Sequence, residues 1–127
     1  MENIHAMFEN DQYAKHTGIE LLTVAPGRAT ARMPLHTHHL NGVGTVQGGA
    51  IFTLADFAFA AAANAHGKVA VAVNVSITFM KAAITGTLTA EAREVALNPK
   101  LGTYTVNVTD DQNNLIAVFQ GQAYRKS

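Results

Sequence analysis

The most regular hydrophobic pattern runs from Lys68 to Met80, where Val69, Val71, Val73, Val75, Ile77 and Phe79 alternate with Ala70, Ala72, Asn74, Ser76, Thr78 and Met80. A period of two sustained over this length predicts a long β-strand with an apolar face and a smaller, more polar one. From Arg28 to Pro34, Arg28, Thr30 and Arg32 alternate with Ala29, Ala31 and Met33, after an extended run Ile19 to Ala25 and a Pro26-Gly27 turn. Those two runs predict a hairpin. Further strands are predicted over Gly86 to Leu97, over Gly102 to Thr109 with Tyr104, Val106 and Val108 on one face, and over Leu115 to Arg125 after a turn at Asp110 to Asn114.

Helical patterning is confined to two places. Residues 2 to 17 place Ile4, Met7, Phe8 and Tyr13 in one or two short helical pieces closed by Gly18. Gly48 to Ala65 (GGAIFTLADFAFAAAANA) is apolar on nearly every face and stops before Gly67, which predicts a helix buried all round. Between the hairpin and that helix, HTHHLNGVGTVQGG (His36 to Gly49) has no sustained period and reads as a loop. This order predicts an α+β fold, a curved antiparallel sheet of meandering strands wrapped around the long helix, whose far side a partner closes. A parallel doubly wound sheet is disfavoured, and no internal repeat is present.

Composition narrows this further. The 127 residues suit a single domain spanning 1–127, and the absence of cysteine excludes disulfides and thiolate metal sites. Nine basic against nine acidic residues leave no net charge and hence no basic field for nucleic acid or an anionic membrane. Charged residues are only 14% of the chain, fewer than a soluble domain normally shows to water, so part of the surface is expected to be covered by another subunit. The opening MENIHAMFEND has acids and no apolar h-region, which predicts no secretory signal and a cytoplasmic protein. The 48–65 segment is not expected to span a membrane, because Asp56 sits at its middle.

Asp56 is the first candidate for chemistry: it is the only carboxylate between Glu20 and Glu91 and lies in the most apolar segment. A buried acid either caps or pairs with a neighbour or performs a function. The Gly48-Gly49 pair is the second. A helix N-terminus presents unpaired N–H groups and partial positive charge that can polarise a carbonyl, although two glycines also suit a tight entry into a crowded helix. Asp56 lies about 12 Å from Gly48 along such a helix, too far for both to act on one carbonyl. Their cooperation requires a two-fold dimer with the tip of one helix against the middle of the other.

NGVGTVQGGAIFTLADFAFAAAANAHG (Asn41 to Gly67), NVSITFMKAAITGTLTAEA, the ending AVFQGQAYRKS and the opening KHTGIELLTVAPGRATARMPL resemble the hotdog-fold acyl-CoA thioesterases of the phenylacetic-acid-degradation (PaaI-like) type. The resemblance spans nearly the whole chain, most specifically in the ordered set Asn41, Gly48, Gly49 and Asp56. It implies a hotdog fold, a continuous sheet across a homodimer, assembly into a homotetramer, and hydrolysis of an acyl-CoA thioester; separately, no cofactor and no metal site are expected. It further implies that Asp56 is the catalytic carboxylate, that the Gly48 N–H polarises the carbonyl, and that Asn41 positions water or substrate.

One departure is Gln47, where the family usually has histidine. Glutamine can replace a bracing hydrogen bond through its amide, whereas a titrating imidazole has no substitute in it; the bracing role is favoured, since the backbone N–H does not depend on the preceding side chain. Sequence leaves Asp56 open as general base on a water or as nucleophile forming a mixed anhydride. Gln47, Gly49, Phe52 and Ser76 are expected to touch substrate, and Phe57 and Phe59 join Phe52 as candidate acyl-pocket residues. His36, His38 and His39 read as solvent-exposed loop residues rather than a metal site. Lys81, Arg93, Lys100, Arg125 and Lys126 lie in no phosphate-binding motif. The alternative to an enzyme is a non-catalytic acyl-CoA binding or sensing module on the same fold, which Gln47 favours and Asp56 opposes. A hydratase would need a histidine beside the helix, and His66 falls after it.

Overall fold

The computed structural model describes residues 4–126; Met1 to Asn3, of which 2 and 3 open the predicted helical stretch, and Ser127 lie outside the described residues. Two short helices, α1 (Ile4–Glu9) and α2 (Gln12–Thr17), open the chain. Asp11 caps α2 by accepting the Ala14 N–H at 3.0 Å, and Gly18 ends it at φ 87°, a left-handed position suited to glycine. The hairpin follows as β1 (Glu20–Ala25) and β2 (Arg28–Pro34), then a 3-10 turn at Thr37–His39 and the long helix α3 (Gly48–Asn64). The remaining strands are β3 (Ala70–Phe79), β4 (Thr87–Leu97), β5 (Leu101–Thr109) and β6 (Leu115–Arg125).

The strands form one antiparallel sheet in the order β1-β2-β4-β5-β6-β3, curved around α3. Small side chains allow that closeness. Ala31 pairs with Ala90 and Ala29 with Ala92 on the inner face, opposite Ala58, Ala61 and Ala62 of the helix, all buried. At Gly121 a side chain would begin 3.0 Å from the Phe59 ring, so the absent Cβ is what lets that ring lie on β6. Phe59 also packs edge-on against Tyr104 and against Phe119. Among the described residues, no helix is long and apolar enough to cross a membrane.

Three expectations are corrected. First, β3 does not meander into β4; it crosses the sheet to pair with β6 and leaves β2 beside β4, an arrangement set by long-range pairing. Second, the six apolar residues 69 to 79 do not share a face. A bulge between Ala72 and Asn74 makes Val73 the extra residue, and a one-residue slip reverses every later side chain. Val71 therefore lies on the outer face with Asn74, Ser76 and Thr78, while Val75, Ile77 and Phe79 point inward opposite Gly121, Phe119 and Ala117. Third, α3 is not buried all round: Gly49 is exposed, and Phe52, Thr53, Asp56, Ala60 and Asn64, which follow it along one stripe, are only half-buried. The sheet covers the rest of the helix.

The far end of α3 is locked by polar groups. The Gly27 N–H donates to Ala62 O at 3.2 Å and the Glu94 N–H to Gly27 O at 2.9 Å, tying the hairpin turn to the helix and to β4. His66 Nε2 and the Tyr104 hydroxyl both donate to Glu94 Oε1, at 2.6 and 2.9 Å. Burial, with the Glu94 hydrogen bond, pushes the Tyr104 phenol well above its ordinary range. Tyr104→Phe removes one charge-assisted bond and is expected to lower the unfolding free energy by about 1.5 kcal/mol, measured by urea denaturation at fixed protein concentration. A loss below about 0.5 kcal/mol would show that the phenol contributes only packing.

Candidate active site

The tip of α3 is set by the loop before it. The Asn41 carboxamide organises that loop: Oδ1 accepts the N–H groups of Val43 and Thr45 at 3.0 and 3.2 Å, and Nδ2 donates to Thr45 Oγ1 at 3.0 Å. Leu40 and Val46 close the turn as a bridge, the Val46 N–H donates to Ala83 O, and the Gln47 N–H donates to His39 O. His39 is buried, which corrects the reading of three exposed loop histidines; His36 and His38 are exposed. Its Nδ1 accepts the His36 N–H at 2.9 Å and its Nε2 donates to Thr17 O at 2.6 Å. Backbone N–H only donates and carbonyl only accepts, so these bonds select the neutral ring with its proton on Nε2. His39 thus pins the loop to the end of α2 and has no nitrogen left for a metal.

At the tip, Gln47 O accepts the N–H groups of Ala50 and Ile51 at 3.0 and 3.3 Å. Among the described residues, the N–H groups of Gly48 and Gly49 meet no acceptor, and the first turn carries no acidic residue. Two donors therefore stand free at the positive end of a 17-residue helix. Gly48 has no left-handed φ; a Cβ there would crowd the Phe79 ring, whose Cζ lies 3.1 Å from that position. Gln47 is exposed and its side chain makes no hydrogen bond among the described residues. The bracing expected of that amide is done by the Gln47 backbone instead.

Asp56 lies two turns further along α3, about 12 Å from Gly48. Its carboxylate has no hydrogen-bond partner among the described residues, and burial, followed by the nearby Asp11 charge, pushes its carboxyl above the ordinary aspartate range. Gly49 and Thr53, on the same stripe, face a cavity of about 450 Å³ whose other wall is Tyr13 and His16 of α2 with His38, and Gln47 lines its rim. Desolvation holds the His38 imidazole below its ordinary range.

Gln47, Gly48 and Gly49 are thus brought together, with Asn41 behind them in the loop. Asp56 and Phe52 share the open stripe, Phe52 edge-on to Phe119. Phe57 is buried against Phe8 and Phe59 against the sheet, so neither faces the tip. Ser76 pairs with Gln120 on the outer face, turned away from its own chain's α3 by the Val73 bulge, and is not brought to this chain's tip. Sequence reasoning missed Phe79, Tyr13, His16 and Asp11, which reach the site from other elements and carry no local signal. Thr53 had one, its position four residues after Gly49.

A long helix wrapped by a six-stranded antiparallel sheet is the hotdog architecture, a fold of thioester hydrolases. Residues 43–117 match the Thioesterase superfamily, and the chain belongs to that family. It is 38% identical over 125 residues to the acyl-coenzyme A thioesterase PaaI of Escherichia coli K12, covering 98% of this chain and 89% of that protein. The solved E. coli PaaI structure superposes with a TM-score of 0.95 at 37% identity, covering 99% of this chain and 92% of that one. A mutant of the phenylacetic acid degradation protein PaaI from Thermus thermophilus superposes with a TM-score of 0.87 at 34% identity, over 91% of this chain and all of that one (100%).

Because burial raises the folded-state value of Asp56, its ionisation opposes folding. That penalty is absent below the ordinary aspartate value, where the carboxyl is protonated both folded and unfolded, and reaches its full size as pH rises through the raised one. Asp56→Asn is accordingly expected to raise Tm at neutral pH, the gain vanishing below about pH 4. A Tm difference independent of pH, followed by differential scanning calorimetry, would contradict this assignment.

Proposed function

We propose that the protein hydrolyses acyl-CoA thioesters as a homodimer, the Gly48 N–H of one subunit holding the thioester carbonyl and Asp56 of the partner subunit acting on it. The observation that carries this reading is the pair of free donors at the α3 tip with an unpartnered carboxylate about 12 Å away on the same helix. Neither group completes a site in its own chain, and a two-fold axis that sets two α3 helices antiparallel along their open stripes supplies each tip with the other's acid. The edge strand β3 supports that axis: among the described residues it pairs only with β6, and Val71, Val73 and Phe79 are exposed along it. Pairing of two dimers into a tetramer is supported by the low charge and by an outer sheet face carrying Asn74, Ser76, Thr103, Gln120 and Gln122. The acyl-CoA class is supported by the activity in the name of the E. coli relative.

Negative charge grows on the carbonyl oxygen during attack, and a helix-tip N–H that needs no reorganisation stabilises it. In one route the Asp56 carboxylate takes a proton from water as the water oxygen bonds to the carbonyl carbon. The C–S bond then breaks, and the departing thiolate picks up a proton. In the other route Asp56 itself bonds to the carbon, expelling thiolate and leaving a mixed anhydride that water opens. Burial raises the basicity of the carboxylate and suits both. Gly49 offers a second donor, the free amide of Gln47 faces arriving substrate, Asn41 holds the loop in register, and Phe52 supplies apolar surface beside Asp56.

Thiol release from a panel including phenylacetyl-CoA and straight-chain acyl-CoAs tests the reading. Asp56→Asn is expected to lower kcat by about 100-fold or more with unchanged mass by light scattering. Full activity in that variant, acyl-CoA binding without turnover, or a monomeric wild type would overturn it. Asp11→Asn keeps an oxygen for the α2 cap but removes the charge that raises Asp56, so the acid limb of kcat/KM should move to lower pH. An unmoved limb would show that the Asp11 charge is not felt at Asp56.

A further inference from the structure

The free donor at Gly48 is bounded on one side by Phe79. This residue ends β3 on the inner face, opposite Ala117, and is 50% exposed. Its Cζ lies 3.1 Å from the position a Gly48 Cβ would take, which places the ring edge within about 6 Å of the donor nitrogen. Backbone connections keep it there, since the Met80 and Lys81 N–H groups both donate to Ile116 O and the Val46 N–H donates to Ala83 O. The strand end and the loop that delivers Gly48 are therefore anchored side by side.

A carbonyl oxygen accepting the Gly48 N–H at about 2.9 Å puts its carbon about 4 Å from that nitrogen. That carbon bears the thioester sulfur and the next carbon of the acyl group, and whichever of the two is turned to the ring side lies against Phe79. We propose that Phe79 is a specificity-determining residue that admits acyl groups with an unsubstituted methylene next to the carbonyl and rejects those branched there. The inference rests on the acyl-CoA thioesterase reading and adds to it the class of acyl group. Its physical basis is the closeness that would crowd a Cβ at Gly48: the Phe79 ring stands beside the tip, so a methyl on an α-carbon turned to that side displaces either the ring or the carbonyl.

The test uses two matched pairs, butyryl-CoA with isobutyryl-CoA and phenylacetyl-CoA with 2-phenylpropionyl-CoA, and reads the ratio of kcat/KM for unbranched over branched substrate. A ratio on one sample does not depend on how much of it is folded, so a variant that folds poorly still reports. Wild type is expected to favour the unbranched member by about 10-fold or more, the usual effect of one misplaced methyl in a tight pocket. Phe79→Ala should bring the ratio to within about 3-fold by improving the branched member, and Phe79→Leu, which lacks the reach of Cζ, should fall between. Thiol release with the same ratio in all three proteins overturns this inference and leaves the thioesterase reading standing. No thiol release from any of the four by wild type overturns both.

Discussion

Backbone N–H groups at a helix start need acceptors, and at Gly48 and Gly49 the chain supplies none among the described residues. Everything near the tip preserves that state. The Asn41 turn, the Leu40–Val46 bridge and the buried His39 ring hold the preceding loop by bonds among themselves. Gln47 carries no side-chain cap, although a serine or aspartate there would satisfy one of the donors. The Phe79 ring packs over Gly48 and offers no acceptor. A helix end left open in this way attracts a developing negative charge from outside the chain.

The rest of α3 is shaped by what the sheet can cover. Alanines on the helix and on β2 and β4 bring backbone close to backbone, and Gly121 does the same for Phe59. Coverage stops at the stripe through Gly49, Thr53, Asp56 and Ala60, where the sheet's curvature ends. Asp56 lies on that stripe and so is desolvated enough to raise its carboxyl without being enclosed. The polar lock of His66, Glu94 and Tyr104 secures the opposite end of the helix and leaves the tip and stripe as the parts open to a partner.

Most elements were legible because their signals are local. The alternation Arg28, Thr30, Arg32 against Ala29, Ala31, Met33 survives unchanged as the two faces of β2. Gly18 ends α2 where predicted. Asp56, Gly48 and Gly49 stood out because a lone acid and a glycine pair break an apolar run. The outward turn of Ser76 was not legible because the Val73 bulge is invisible in a pattern of alternating valines; a bulge inserts a residue without changing composition. His39 looked like its neighbours because a buried, doubly bonded imidazole and a solvated one are the same letter.

Pattern and composition by themselves determined an α+β fold around one apolar helix, the extent of its strands, and a candidate carboxylate too far along that helix to meet its own tip. Those follow from periods of two and 3.6 and from the 1.5 Å rise of a helix, which need no distant contact. Tertiary structure decided that β3 lies beside β6, that α3 keeps one stripe uncovered, and that the Phe79 ring, rather than backbone conformation, crowds position 48. Each of these depends on which distant segments meet in space, and no local period records that.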